Sequence, residues 1–218
     1  MPVKMKLPQY PVFLDLRRRP VIVIGGGEVA ERLIRTLMAC GAKVRIISPE
    51  VTPGLEKLAR EGKIRLRKRA YRIGDLMGYP FVFAATNDPK LNLMVHDEVQ
   101  IRSNWVHVVD EPDLCTFSAP EVLSRGNLAI AVSTAGISPI LAKHIRDELE
   151  KRYGPEHDGF LDLLEELRPV VNKRFPRDPK SRAKALAALA EANLLKYFKA
   201  GKPGEARKEA LRILEGMQ

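Results

Sequence analysis

At 218 residues, 45% of them hydrophobic and 29% charged, the chain can hold one large globular domain or two modest ones. No apolar stretch approaches the ~20 residues of a membrane span, and Met1-Pro2-Val3-Lys4-Met5-Lys6 lacks the apolar run of a signal peptide; a cytoplasmic protein without a membrane partner is expected. The net charge of +10 singles out no partner, and the aromatic residues, 6% of the chain, are not interleaved with a basic stripe as nucleic-acid stacking would need.

Val21-Ile22-Val23-Ile24 is a short apolar, β-branched run, the pattern of a central parallel strand covered on both faces. After Gly25-Gly26-Gly27 a helix is predicted from Val29 to Cys40, with Val29, Leu33, Leu37 and Cys40 facing inward and Gly41 as its stop. Val44 to Ile47 reads as a second strand, and Pro53 to Arg60 as a helix stopped by Gly62. Ile64 to Lys68 is a weaker strand with arginines on an exposed side. Phe81 to Ala85 is a second buried strand. Asn87 and Asp88 can cap the helix that follows, with Pro89 in its first turn and its end near Ser103. Trp105 to Val109 is a further strand, ending on Asp110. Such alternation predicts a doubly wound parallel sheet whose strand C-termini share one edge. Four loops should meet there: Gly25 to Gly27, Ser48-Pro49, Thr86-Asn87 and Asp110.

After Asp110 the rhythm changes. Cys115 to Ala119 and Leu128 to Ser133 read as two strands with no helix between them, connected through Gly126-Asn127. A helix is predicted from Ser138-Pro139 to Tyr153. From Gly159 the pattern is helical, interrupted at Pro169, Pro176, Pro179 and Gly201 to Gly204. Cys40 and Cys115 are expected as buried free thiols. His96, His107, His144 and His157 offer no helical zinc pair, so no resident metal is expected.

Gly25-Gly26-Gly27-Glu28-Val29-Ala30 fits the pattern G-x-G-x-x-G/A. The first glycine of that pattern permits a tight turn, the second admits a pyrophosphate to backbone amides, and a small third residue lets the helix pack on the strand. Set between a buried strand and an amphipathic helix, the motif makes a nicotinamide dinucleotide the expected ligand. Contacts are expected from Gly25, Gly26, Gly27, Glu28, Val29, Thr86 and Asn87, and on the ribose side from Ser48, Pro49 and Glu50. The second strand ends on Ser48-Pro49 rather than on an acid, yet Glu50 is close and no arginine directly follows to hold a 2′-phosphate. NAD is favoured over NADP on that basis.

Further motifs stand in order with this one over residues 11–142: Pro11 to Leu16, Val23 to Arg32, Ala84 to Asp88, Val108-Val109-Asp110, Phe117 to Pro120 and Ala131 to Ala142. In them the chain resembles the precorrin-2 dehydrogenase family, the NAD-dependent part of siroheme synthase. The resemblance implies oxidation of precorrin-2 to sirohydrochlorin with hydride passing to NAD. In some members it extends to metal insertion, with ferrous or cobalt ion as substrate. It also implies an α/β architecture: a Rossmann-type doubly wound domain over 1–112, a small α+β dimerisation region over 113–153 and a helical C-terminal domain over 154–218, assembled as a homodimer.

Asp110 matches the family's catalytic aspartate, and its place at the end of a central strand independently suits a general base. Ser133-Thr134-Ala135-Gly136-Ile137-Ser138-Pro139 supplies hydroxyls, a flexible glycine and a helix N-terminus, a combination suited to a carboxylate. Ser133, Thr134 and Ser138 are the substrate candidates there, although relatives often carry serine and glycine at 134 and 135. Arg125, Lys143, His144 and Arg146 lie close in sequence and suit a polyanionic tetrapyrrole. A regulatory nucleotide-binding module of the kind that gates potassium transport is the alternative. It too has a glycine turn, but needs neither Asp110 nor the Ser133 to Pro139 segment.

Overall fold

The computed structural model describes residues 9–102 and 104–217. The opening Met1 to Lys6 and the expected helix end at Ser103 lie outside the described residues. The chain forms two compact units, one ending at Ala119 and the other beginning at Pro120.

The first unit holds a five-stranded parallel sheet of β1 (Pro20–Ile24), β2 (Lys43–Ile47), β3 (Arg65–Arg67), β4 (Phe81–Ala84) and β5 (Trp105–Val108), in the order β3-β2-β1-β4-β5. Helices α1 (Glu28–Ala39), α2 (Pro53–Arg60) and α3 (Pro89–Arg102) connect β1 to β2, β2 to β3 and β4 to β5. Both faces of the sheet are covered. Val21 and Val23 of β1 pack with Ile34 and Leu55, while Ile22 and Ile24 pack with Val95, Val99 and Val106. This is why β1 reads as an unbroken apolar run. Ile24 stands beside both Ile47 and Ala84, and Ala84 beside Val108, so four strands end in one row. The connections leave β1 in opposite directions, which opens a crevice at that edge.

Helix α1 is rotated from its expected setting. Its buried residues are Ala30, Ile34 and Leu37, whereas Val29 and Cys40 are exposed and Leu33 is half-buried. The small residue that closes the glycine motif must face the strand, and steps of four and three from Ala30 then select Ile34 and Leu37. Burying Ile34 completely stabilises by about 1.5–3 kcal/mol, more than the half-exposed Val29 forfeits. Cys40 is therefore exposed rather than buried, and Cys115 is half-buried.

The expected strand over Cys115 to Ala119 is absent. A short 3₁₀ turn, Pro112–Leu114, follows β5, and the chain then meets β5 only around Thr116. The Thr116 amide donates to the Val106 carbonyl at 2.9 Å, but the Val106 amide donates to the Thr116 hydroxyl at 2.8 Å. A side chain thus takes the place of the next carbonyl, and no ladder extends.

In the second unit, β6 (Glu121–Arg125) and β7 (Leu128–Val132) form an antiparallel hairpin. Arg125 pairs with Leu128, so Gly126-Asn127 is a two-residue turn with Gly126 at φ +53°. Helix α4 (Pro139–Arg152) packs on the hairpin. Helices α5 (Glu156–Arg174), α6 (Pro179–Glu191), α7 (Leu195–Lys199) and α8 (Pro203–Glu215) share a core that includes Leu167, Val171, Leu189 and Leu214. Pro169 does not interrupt α5 as expected. It lies on the exposed side, while Leu163, Leu167 and Val171 anchor the helix before and after it. The carbonyl that loses its donor belongs to Glu165, an exposed residue one turn back, where water can satisfy it. Among the described residues no helix is long and apolar enough to cross a membrane.

Candidate functional site

The glycine turn leaves β1 at the row of strand ends. Gly25 has φ +113°, and its amide donates to the Ile47 carbonyl at 3.0 Å. A Cβ on Gly26 would stand 2.2 Å from the Glu50 carbonyl oxygen, so the loop after β2 demands that glycine. The Gly26 carbonyl accepts from the Thr52 amide at 3.0 Å. Gly27 differs from both. Its φ of −77° suits any residue, it caps α1 without a side-chain bond, and a Cβ there would meet no protein atom within 4 Å. The fold does not require Gly27; open space before the first turn of α1 does fit an approaching pyrophosphate. Glu28 and Val29 are exposed beside it, and Ala30 is fully buried.

The loop after β2 is shaped by Ser48, which is buried and donates from Oγ to the Glu50 carbonyl at 2.6 Å. Pro49 and Glu50 are exposed at the crevice edge. The neighbouring Thr52 caps α2 by accepting from the Leu55 amide, and its hydroxyl donates to Glu31.

After β4, the Ala85 amide donates to the Ile24 carbonyl at 2.8 Å, which ties this loop to the glycine turn. Thr86 Oγ1 donates to Asn92 Oδ1 at 2.7 Å, and Asn87 is exposed. Asp88 caps α3, its carboxylate accepting from the Lys90 and Leu91 amides at 3.0 and 3.3 Å. Asn92 is buried, with 3% of its surface exposed, and its amide also donates to Glu111 Oε1 at 3.0 Å. Because a carboxylate only accepts, this contact fixes which end of the Asn92 amide faces it. Neither Asn92 nor Glu111 was singled out from the sequence. The available signal was a polar residue on the same helical face as Val95 and Val99.

Asp110 follows β5 and is exposed, with φ +62°. Left-handed backbone is uncommon outside glycine, though aspartate tolerates it better than most residues. Nearby, His107 is edge-on to Phe83 and tilted against Phe117, and its Nδ1 lies 3.3 Å from the Phe117 carbonyl. Burial lowers the His107 pKa, outweighing the opposing pull of the Phe117 carbonyl and the Asp110 charge. Burial thus disfavours the charged form of this packed imidazole. Among the described residues no group of three or more histidine, cysteine or acidic side chains could hold a metal ion.

The second unit contains the Ser133 to Pro139 loop. Ser133 Oγ accepts from the Ala135 amide at 3.1 Å, and Ser138 Oγ accepts from the Leu141 amide at 3.2 Å as the cap of α4. Thr134 Oγ1 accepts from the Ser138 amide and donates to the Ser138 carbonyl at 3.0 Å. The Thr134 hydroxyl is therefore committed to the loop, while Ser133 and Ser138 retain protons to donate. Ala135 and Gly136 both have positive φ, +53° and +78°. Of the basic residues nearby, Arg125 and Arg146 pair with Glu150, at 2.8 and 3.1 Å, and His144 with Glu148.

A parallel sheet with reversed strand order, a glycine turn opening α1 and open space beside Gly27 define a Rossmann-type dinucleotide-binding protein. A family model described as "Putative NAD(P)-binding" matches residues 12–121, half of the chain, and one described as "Sirohaem biosynthesis protein central" matches residues 125–152. The chain belongs to this NAD(P)-binding family. It is 39% identical over 165 residues to a siroheme synthase of Methylobacillus flagellatus, covering 76% of this chain and 35% of that protein. Identity to a siroheme synthase of Ectopseudomonas mendocina is 37% over 205 residues, covering 94% of this chain and 43% of that protein. The chain thus spans less than half the length of either relative. A solved structure of SirC, precorrin-2 dehydrogenase, superposes with a TM-score of 0.76 at 26% identity, covering 94% of this chain and 100% of that one. These likenesses do not favour the potassium-gating alternative.

Proposed function

We propose that this chain is an NAD-dependent precorrin-2 dehydrogenase, oxidising precorrin-2 to sirohydrochlorin. The observation that carries the reading is the row of strand ends at Ile24, Ile47, Ala84 and Val108, which sets Asp110 on the same sheet edge as Gly27. Bound NAD would supply the hydride acceptor. Gly25 and Gly26 keep the turn tight, and Gly27 admits the pyrophosphate to the amides that open α1. Glu28 and Val29 would border it, Ser48, Pro49 and Glu50 would form the ribose side with Ser48 shaping the loop, and Thr86 and Asn87 would contact the dinucleotide from the loop after β4. Asp110 accepts the proton that the substrate loses as its hydride leaves. Ser133 and Ser138 donate to substrate carboxylates while Thr134 holds their loop, and the net positive charge draws in the anionic tetrapyrrole. A cytoplasmic location accompanies this role.

Anaerobic mixing of the purified chain with NAD and enzymatically made precorrin-2 is expected to yield NADH absorbance and the sirohydrochlorin spectrum. Absence of both signals rejects the proposal. Insertion of ferrous or cobalt ion into sirohydrochlorin is a second activity that the resemblance to bifunctional family members implies. With NAD omitted, a rate equal to the uncatalysed one would leave a dehydrogenase alone.

Val122, Ile137, Ile140 and Leu141 are exposed apolar side chains of the second unit, Ile137 and Ile140 by more than 80%. They support homodimerisation through residues 113–153, beside a dinucleotide domain over 1–112 and a helical domain over 154–218. Sedimentation of a monomer at micromolar concentration would reject the dimer.

A further inference from the structure

We infer that Glu111, held by Asn92, is a positioning residue that keeps the backbone of Asp110 in its left-handed conformation. The inference rests on the catalytic role proposed above for Asp110. Aspartate tolerates φ +62° better than most residues, but the conformation still costs free energy relative to ordinary backbone, so the surroundings must favour it. Here the restraints stand on both sides. Before Asp110, the Val109 amide donates to the Ala84 carbonyl at 2.9 Å, tying the chain to β4. After it, the Glu111 amide donates weakly to the Val108 carbonyl at 3.4 Å, and the Glu111 carbonyl accepts from the Leu114 amide at 3.1 Å.

These backbone bonds leave the Glu111 side chain as the longer-range restraint. Its carboxylate accepts from Asn92 Nδ2 at 3.0 Å, and Asn92 is buried in α3, so the anchor is a rigid element rather than another loop. The other end of the Asn92 amide accepts from Thr86 Oγ1 at 2.7 Å, in the loop that borders the dinucleotide. One buried amide therefore joins the loops after β4 and β5, one beside the cofactor and the other carrying the proton acceptor. Loss of the latch would let Asp110 relax toward ordinary backbone geometry and turn its carboxylate from the substrate. That change acts on the proton-transfer step, because neither Glu111 nor Asn92 contacts the open space at Gly27.

The test uses the full chain with Glu111→Ala and Glu111→Gln. Glutamine keeps a carbonyl oxygen that accepts from Asn92, whereas alanine keeps none. Dehydrogenation, NAD affinity by titration in the absence of substrate, and thermal midpoint are measured for each. Glu111→Ala is expected to lower kcat by about 10- to 100-fold, the penalty of a misplaced catalytic group, with KM for precorrin-2 and Kd for NAD within about twofold of the unaltered chain. Glu111→Gln is expected to recover kcat to within about threefold. The inference is overturned if Glu111→Ala leaves kcat intact, if Glu111→Gln is as impaired as Glu111→Ala, or if the loss appears instead as weaker NAD binding. In each of these cases the unaltered chain still turns over, so the dehydrogenase assignment survives. An inactive unaltered chain removes both.

Discussion

A Cβ added to Gly25 would stand 2.1 Å from the carbonyl oxygen of Ala85, so the glycine turn and the loop after β4 touch backbone to backbone. This contact separates two glycines that look alike in the sequence. Gly25→Ala combines that overlap with a φ of +113°, and is expected to cost about 2–5 kcal/mol. Gly27→Ala meets no protein atom and an ordinary φ, so its stability should stay within about 1 kcal/mol of the unaltered chain. The methyl group would instead occupy the space left for pyrophosphate and weaken NAD binding by at least about tenfold. Urea denaturation and NAD titration of the two variants measure the contrast. A stable Gly25→Ala, or a Gly27→Ala with unchanged affinity, contradicts it.

Asp110→Asn isolates the carboxylate from its backbone. Asparagine tolerates the left-handed region as aspartate does, so the loop should keep its shape. Loss of a general base is expected to lower kcat by about 10²- to 10⁴-fold, with NAD affinity retained. Single-turnover measurements beside NAD titration check both parts.

Ala135 sits at φ +53°, where a Cβ is penalised and glycine is not. Ala135→Gly should stabilise the chain by about 0.5–1 kcal/mol, the relief of strain exceeding the added freedom of the unfolded chain. A shift of the urea midpoint to lower concentration would contradict this.

Glu98 is buried on α3 and accepts from the Tyr71 hydroxyl, the Gly74 amide and Arg102 Nε. Burial pushes its carboxyl upward, but these three donors together outweigh burial and hold it below the usual glutamate range. A lowered folded-state pKa gives stability that is full above the unfolded value, about 4.3, and is lost as pH falls through the folded one. Glu98→Gln should therefore be less stable near neutral pH by about 1.5–3 kcal/mol, with the gap closing below about pH 4. Denaturation across pH 3 to 7, on the order of five points, reads the trend. A pH-independent gap would count against it.

The two cysteines should differ in reactivity. Cys40 is exposed, whereas Cys115 is half-buried and burial raises its pKa. The thiolate is the reactive form, so alkylation of the folded chain should label Cys40 first. Peptide mass spectrometry over a time course shows the order, and equal rates would contradict it.

The sequence by itself determined the parallel strands, the glycine turn and the helix stops, because each depends on neighbours close in the chain. Val21 to Ile24 is apolar because both faces of β1 are covered, and Gly41 and Gly62 take positive φ immediately after their helices. What it left open depends on contacts between distant residues. The rotation of α1 followed from how Ala30 meets the sheet, not from the periodicity of the helix. Cys115 to Ala119 has the composition of a strand, but the Thr116 hydroxyl replaces the ladder on β5. Pro169 stays within α5 because residues on both sides of it reach a common core. Asn92 and Glu111 stand 19 residues apart and meet only because α3 returns the chain from β4 to β5. Tertiary structure alone decided that meeting, since a buried amide needs a partner and only the folded sheet edge brings one within reach.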